Sequence, residues 1–335
     1  GVALNLDDDE ITFYKNNSTQ GDISITNREY TPLAGEEGST NGGIIANFGQ
    51  SDFEYTPPTG FNALNTSNLP DPAIADPSAY FQAKKYTGTG SENAVTNSGN
   101  SDLEPSLVWI KILGKAYDLG LYDQVRGATK ELNSNDTGAE ATEAQSVKSF
   151  QSDGFTVGTR LGVNESSSDF IAWQWKANGS GSSNEDGSIN TVATSVDATG
   201  GFSIIEWTGT GANGTIGHGL GVQPKFYVAK NTATTNSWMV GSTLFENTKF
   251  LILNATDALD TAAAVWNSAY PTSSVINIGS NVGSNGSSGT GNMICYAFAE
   301  VEGFSSISTY VGNGSSTAGP FVYTGFRPSF VVTKN

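Results

Sequence analysis

The chain of 335 residues holds one cysteine, one histidine and two methionines, and only 16 basic residues against 33 acidic ones. The single thiol, Cys295, permits no intramolecular disulfide, and its place between Ile294 and Tyr296 in an apolar run marks a buried structural thiol rather than a reactive one. The single imidazole, His218, lies in the glycine-rich stretch Gly217-His218-Gly219-Leu220-Gly221, with no partner to form a nucleophile and base pair. It is expected to serve a turn or the surface, and no catalytic residue is assigned. A net charge of −17 repels phosphate backbones and anionic lipid, which argues against nucleic acid as a partner. No run approaches the roughly 18 apolar residues that a membrane-crossing helix needs, so no membrane insertion is expected.

Gly, Ser, Thr and Asn crowd the intervals between short apolar runs, with 40 glycines in all, a composition that predicts an all-β, turn-rich chain. Self-similarity organises it. Phe81 precedes Tyr86-Thr87-Gly88-Thr89-Gly90, Phe202 precedes Trp207-Thr208-Gly209-Thr210-Gly211, and Phe304 precedes Tyr310-Val311-Gly312-Asn313-Gly314. Pro105 to Lys111, Pro224 to Lys230 and Pro328 to Lys334 share one spacing, the proline opening a strand where its missing N–H does least harm. Val157-Gly158 with Gly162 matches Ile278-Gly279 with Gly283, and the copies close on Ile171 to Trp175 and Ile294 to Phe298. Trp173 and Trp175, like Tyr296 and Phe298, share one strand face and predict an aromatic-lined core. The Ala-rich stretches 139–148 and 260–269 are each expected to form one short helix.

The expected order is a sandwich piece over 1–64, a linker over 65–80, repeat 1 over 81–176, a linker over 177–201 with an edge strand around Val192 to Val196, repeat 2 over 202–300, and a truncated repeat 3 over 301–335. The chain reads as cut at both ends, and the unpaired edges of the third copy predict aggregation unless a partner covers them.

Other motifs take plain readings. Asp7-Asp8-Asp9-Glu10 fits a solvated hairpin turn, because adjacent residues there do not converge as calcium ligands must, and no metal is expected. Gly209 to Gly214 lacks the lysine and helix of a phosphate loop; hairpin geometry explains its glycines, and no cofactor is expected. Nothing singles out a pair of glycosidase-type carboxylates. Aromatics present in every copy, among them Trp109, Trp173, Trp175 and Trp207, are expected in the core. Aromatics of one copy alone, Trp238, Trp266 and Tyr270, are the candidates for stacking on a glycan, their counterparts near Asp118, Gln145 and Ser149 being non-aromatic.

Gly1-Val2-Ala3-Leu4-Asn5-Leu6 with Ile11 to Asn17, then Asn47 to Phe53 and Tyr55 to Pro58, resembles the carboxy-terminal part of a SPRY domain. That resemblance implies a piece of a concanavalin-like two-sheet sandwich serving as a non-catalytic binding module. Residues 81–335 resemble a module of bacteriophage tail and virion-associated proteins, on Trp207 to Gly211, on Gly217 to Gly221 ahead of Pro224, and on Leu121-Tyr122-Asp123-Gln124-Val125-Arg126-Gly127. The likeness implies tandem β-sandwich-like repeats, each with at most one short helix, in a virion structural protein assembled in the host cytoplasm and then extracellular. It implies a non-enzymatic tail fibre or appendage that is a homo-oligomer, a trimer by the usual symmetry of such fibres, contacting other virion proteins and host-surface glycans. A capsid-decorating protein or head fibre, and a bacterial adhesin or accessory carbohydrate-binding module, are the alternatives.

Overall fold

The computed structural model describes residues 1–26, 30, 32, 43–68, 72–287, 289 and 291–334. Parts of the expected sandwich piece (27–29, 31, 33–42) and linker (69–71), two positions of repeat 2 (288, 290) and Asn335 of the third copy lie outside the described residues. The described residues form 21 strands and three α-helices of four residues each, so the fold is all-β. Among them no helix is long and apolar enough to cross a membrane. The chain divides into two units, Gly1–Asp71 and Pro72–Asn335.

In the first unit β1 (Val2–Asn5), β2 (Glu10–Lys15) and β3 (Ser18–Ser24) form an antiparallel meander, with Val2 opposite Phe13 and Leu4 opposite Ile11. The acidic run turns the first hairpin. Asn5 Oδ1 accepts the N–H groups of Asp7 at 3.1 Å and Asp8 at 3.2 Å, and its amide nitrogen donates to Asp8 Oδ2 at 2.7 Å, which fixes the turn and leaves the acids in water.

The second unit contains the two repeats. Repeat 1 runs through β4 (Phe81–Thr87), β5 (Asn93–Thr96), β6 (Leu107–Ile112), β7 (Gly120–Asp123), β8 (Lys130–Asn133), β9 (Ala141–Thr142), β10 (Val147–Gln151), β11 (Gly154–Val157), α1 (Leu161–Asn164) and β12 (Asp169–Trp175). Repeat 2 adds the edge strand β13 (Ala193–Asp197), then β14 (Phe202–Thr208), β15 (Gly214–Gly217), β16 (Phe226–Asn231), β17 (Met239–Ser242), β18 (Lys249–Ile252), β19 (Asp260–Thr261), α2 (Ala263–Trp266), β20 (Val275–Ile278), α3 (Val282–Asn285) and β21 (Asn292–Phe298). The large sheets have the orders β4-β12-β6-β7-β8-β9 and β13-β14-β21-β16-β17-β18-β19, so the strands of the two copies correspond one to one and β13 is an addition. A small sheet covers one face of each: β10-β11-β5 in the first copy, β15-β20 in the second.

The two-residue period of the strands decides what each face meets. On β12, Phe170 and Ala172 enter the core of repeat 1 with Val108, Ile110 and Phe155. On β21, Met293, Cys295 and Ala297 enter the core of repeat 2 with Trp207 and Ile276. The aromatic faces point the other way. Trp175 and Leu107 meet Phe202, Tyr296 and Trp238 in a third apolar cluster, with Trp109, Trp173 and Phe298 packed at its margins. The predicted aromatic core is therefore a seam between the two sandwiches rather than the interior of either.

Three expectations are corrected. The stretch 139–148 holds no helix but β9 and the start of β10, because the chain pairs with β8 there and has no apolar helical stripe to bury; 260–269 does contain α2. Repeat 2 carries two helical turns instead of at most one. The third copy shows no strand over 306–334, since none of its backbone finds a partner of the kind that β12 and β21 supply to the other copies. Phe330 nonetheless occupies the place after proline that Leu107 and Phe226 hold, and packs on Trp109, Trp173 and Trp175 at 5.9, 5.4 and 5.2 Å between ring centres.

Candidate functional site

Both copies use one device to hold the glycine turn beside the closing strand. The single helical turns α1 and α3 end on Asn164 and Asn285, both fully enclosed. Asn164 Oδ1 accepts Thr89 N–H at 2.8 Å and its amide donates to the carbonyls of Ser91 and Gly158. Asn285 Oδ1 accepts Trp207 Nε1–H at 3.0 Å and Thr210 N–H at 3.3 Å, while its amide donates to Thr210 Oγ1 at 2.9 Å and Ala212 O at 2.6 Å. Glycine is required where the turn meets this backbone: a Cβ on Gly88 would stand 2.2 Å from Glu165 O, and one on Gly209 2.6 Å from Asn285 O. Sequence reading missed these asparagines, although Gly-x-Asn at 162–164 and 283–285 was available as a repeated signal.

The cores differ where the frame agrees. In repeat 1, Glu131 is buried, accepts Tyr122 O–H at 2.5 Å, Ser146 O–H at 2.8 Å and Arg160 Nη2–H at 2.8 Å, and Arg160 also pairs with Glu143 at 2.8 Å. Burial, with the Glu131 carboxylate beside it, drives the Tyr122 phenol well above its ordinary range. The matching strand positions of repeat 2 carry Phe250 for Glu131 and Gly241 for Tyr122, and the space is filled by Tyr227, Val265 and Trp266.

Polar links cross the seam at three places. Arg126, from the Leu121 to Gly127 motif, is enclosed with Asp123: its Nε donates to Asp123 Oδ2 at 2.6 Å and its backbone N–H to Asp123 Oδ1 at 2.8 Å. Tyr296 of repeat 2 donates its hydroxyl to Asp123 Oδ2 at 2.6 Å, and Arg126 Nη2 reaches that hydroxyl at 3.4 Å. Burial works against the Arg126 charge, yet Asp123, Tyr296 and Glu140 outweigh it and hold the guanidinium ionised. Backbone bonds from Glu140 N to Thr232 O at 2.8 Å and from Asn236 N to Thr137 O at 3.0 Å join the loops above. Trp238 Nε1 donates to Asn133 O at 3.0 Å.

Beside these links the seam opens into a groove of about 550 Å³ lined by Trp109, Leu119, Ser134 and Asn135 of repeat 1 and by Leu253 to Asp257 of repeat 2. Trp109 is partly exposed, its Nε1 held by Ser134 Oγ at 2.9 Å. Asn135 is oriented by Leu119 N–H at 2.8 Å and donates to Asp118 at 2.8 Å. Asn254, which lines the groove, accepts Trp238 N–H at 2.8 Å through Oδ1.

Of the predicted glycan contacts, Trp238 and Trp266 are fully buried, in the seam and in the core of repeat 2, so neither offers a face to a ligand. Register explains the misreading. Met239 and Gly120 hold equivalent places opposite Ala229 and Ile110, which puts Trp238 at the place of Leu119, and Val265 and Ser146 accept the equivalent glycine N–H groups, which puts Trp266 at the place of Val147. Both counterparts are apolar. Tyr270 is exposed at 41%, its hydroxyl on Phe245 O at 3.0 Å, and it does not line the groove. His218 is buried inside its turn, Nδ1 accepting Leu220 N–H at 3.1 Å and Nε2 facing Thr272 O at 3.3 Å; burial holds its pKa below the ordinary value, so the ring is neutral. Cys295 is a buried free thiol whose pKa burial pushes up.

Among the described residues no buried side-chain nitrogen or oxygen lacks a hydrogen-bond partner, and no cluster of His, Cys, Asp and Glu has a metal-binding arrangement. No curated protein and no solved structure matches the chain. The model of the family described as Domain of unknown function (DUF7483) matches residues 76–335, a span that takes in both repeats, the seam and the third copy, and the chain belongs to that family.

Proposed function

We propose that the chain is a non-catalytic structural and binding protein of a bacteriophage virion, a tail fibre or similar appendage that contacts host-surface glycans as a homo-oligomer among other virion proteins. The observation that carries this reading is the seam. Two copies of one sandwich turn their aromatic sheet faces on each other and lock through Asp123, Arg126 and Tyr296, which suits a load-bearing segment better than a reaction centre. The phenols driven furthest from their ordinary range, Tyr122 and Tyr296, are held by protein partners in enclosed networks instead of facing a cleft. The motif that resembles virion modules, Leu121 to Gly127, supplies half of the lock. The likeness of residues 1–64 to a SPRY sandwich adds a second binding module to the same reading.

Immunogold electron microscopy of particles from the source culture, with an antibody raised against the full chain, tests it. Gold on tail appendages is the expected result. Gold over heads would move the assignment to a capsid-decorating protein, and gold on cell surfaces without particles would refute a virion location.

A further inference from the structure

We propose that β4 is a guarded sheet edge, on which the inward-pointing Lys84 keeps an otherwise open strand from pairing with the same strand of a second copy of this chain. The strand order puts β4 at one end of its sheet, whereas the equivalent β14 is covered by β13. No such cover reaches β4. The stretch 72–76 stands before Phe81 as β13 stands before Phe202, but Asp76 caps the short 3₁₀ turn Pro77–Ala79 and accepts the Ser101 hydroxyl at 2.5 Å, and the stretch forms no strand. Gly88 N–H donates to Ser168 O at 2.8 Å and Lys176 N–H to Tyr80 O at 3.0 Å, in register with the β4–β12 pairs. Residues 82, 84 and 86 therefore bond to β12, and the N–H and C=O groups of Phe81, Ala83, Lys85 and Thr87 point outward. None of those outward groups has a backbone partner among the described residues. The other sheet ends are blunted: β13 is bridged by Ser182, and β9 and β19 are two residues long. Seven residues of open strand are a template for another chain.

Lys84 answers that hazard. Strand period puts Gln82, Lys84 and Tyr86 on the core face, where Gln82 and Tyr86 are buried and Lys84 is partly buried, while Ala83 and Lys85 are exposed. Phe81 and Phe202 lie opposite Trp175 and Phe298, which makes Lys84 the counterpart of Ile205 in the core of repeat 2. One core-facing place thus holds isoleucine where the edge is covered and lysine where it is open. Lys84 has no ion pair among the described residues, so no partner inside the sandwich accounts for the charge. At an open edge the ammonium reaches water past the strand; a strand laid alongside closes that route and leaves the charge desolvated. Full antiparallel overlap of two β4 strands, Phe81 against Thr87, would also set Lys84 directly opposite Lys84, with Cβ atoms about 5 Å apart and like charges repelling.

The guard does not depend on the virion reading, and it leaves the homo-oligomer of that reading to other surfaces. The test is sedimentation velocity of the full chain over a concentration series, with hydrogen exchange of the β4 amides, for wild type, K84I, K84R and the double variant K84I/A83P, each first shown to unfold in one urea transition. K84I gives repeat 1 the residue that repeat 2 carries. It is expected to self-associate roughly tenfold or more tightly than wild type, with exchange slowed at Phe81, Ala83, Lys85 and Thr87. K84R keeps the charge and should match wild type, whose outward amides exchange fast at every concentration. K84I/A83P should return to the wild-type mass, because proline removes an outward N–H and leaves the β12 ladder whole; if that variant does not fold, K84I against K84R decides. Four results overturn the guard: K84I at the wild-type mass throughout, K84R associating as K84I does, a mass rise in K84I without slowed exchange on β4, or slow exchange of the outward amides in wild type.

Discussion

Replacing Arg126 by Met should be the most costly single change at the seam, because it strands a charge. Asp123 is wholly enclosed, and its closest cationic partner is Arg126 Nε at 2.6 Å; in the variant its carboxylate keeps the Tyr296 hydroxyl at 2.6 Å and the one backbone N–H of position 126 at 2.8 Å. Breaking a buried pair from one side costs about 3–5 kcal/mol, a large part of the roughly 5–15 kcal/mol that holds a domain together. Tyr296→Phe keeps the ring and loses one bond to a charged acceptor, so about 1.5–3 kcal/mol is expected. The double variant R126M/D123L removes both charges and leaves apolar groups in the seam, so it should be less destabilised than R126M alone. Urea unfolding of the full chain, followed by tryptophan fluorescence to which Trp175 and Trp238 of the seam contribute, reads all three together with D123L alone. If R126M costs under about 1 kcal/mol, or the double variant costs the sum of its singles, the pair is not the lock described.

Asn285→Ala strands the buried Trp207 Nε1–H and removes the acceptor of the half-buried Thr210 N–H, and should cost about 2–4 kcal/mol by the same unfolding assay, with Asn164→Ala, whose Thr89 donor is exposed, costing less. Gly241→Ala places a Cβ 2.2 Å from the Tyr227 ring and should destabilise by about 1–3 kcal/mol; adding Tyr227→Val, which restores the Val108-like partner, should recover part of the loss. His218 has its folded-state pKa lowered by burial, so the unfolded chain takes up the proton first and the urea midpoint should fall as pH drops below about 6.5; His218→Asn should flatten that slope. Burial pushes Lys230 down to about 8, with its ammonium on Asn231 O at 2.7 Å, so stability should rise from pH 8 towards about 10.4, and Lys230→Met should abolish that rise.

Much of this architecture could be read from repetition. In the first two copies the proline-led central strands, the glycine turns and the closing strands stand where the repeated motifs put them, because turn glycines and strand prolines answer to local backbone sterics. The helical turns α1 and α3 were invisible because four residues carry no helical periodicity, and the asparagines that end them act through contacts some 75 residues away in the chain. The groove was invisible for a similar reason: Trp109 and Asp257 are brought together only by the docking of two copies, an event that no single strand encodes. The choice of Trp238 and Trp266 as surface aromatics failed on one- and two-residue alignment slips, which in a strand exchange one face for the other or an apolar counterpart for a polar one.

The comparison of the copies separates two kinds of shared residue. Asn164 and Asn285, with Gly88 and Gly209, are shared because the sandwich cannot close its turn without them, whatever lies outside. Trp175 and Phe298 are shared for another cause: each faces away from its own core and is covered by the other copy. Where neither demand applies the copies part, and Glu131 with its hydroxyls and Arg160 in one sandwich gives way to Phe250 and Trp266 in the other at little cost to the frame. Recurrence in a repeat thus marks a residue as buried against something, and strand period tells which face it is on, but only the packing of whole sheets tells what covers it. A third sandwich of this kind would present the same outward row, and Phe330, in the place of Leu107 and Phe226, already sits on the aromatic seam of the first.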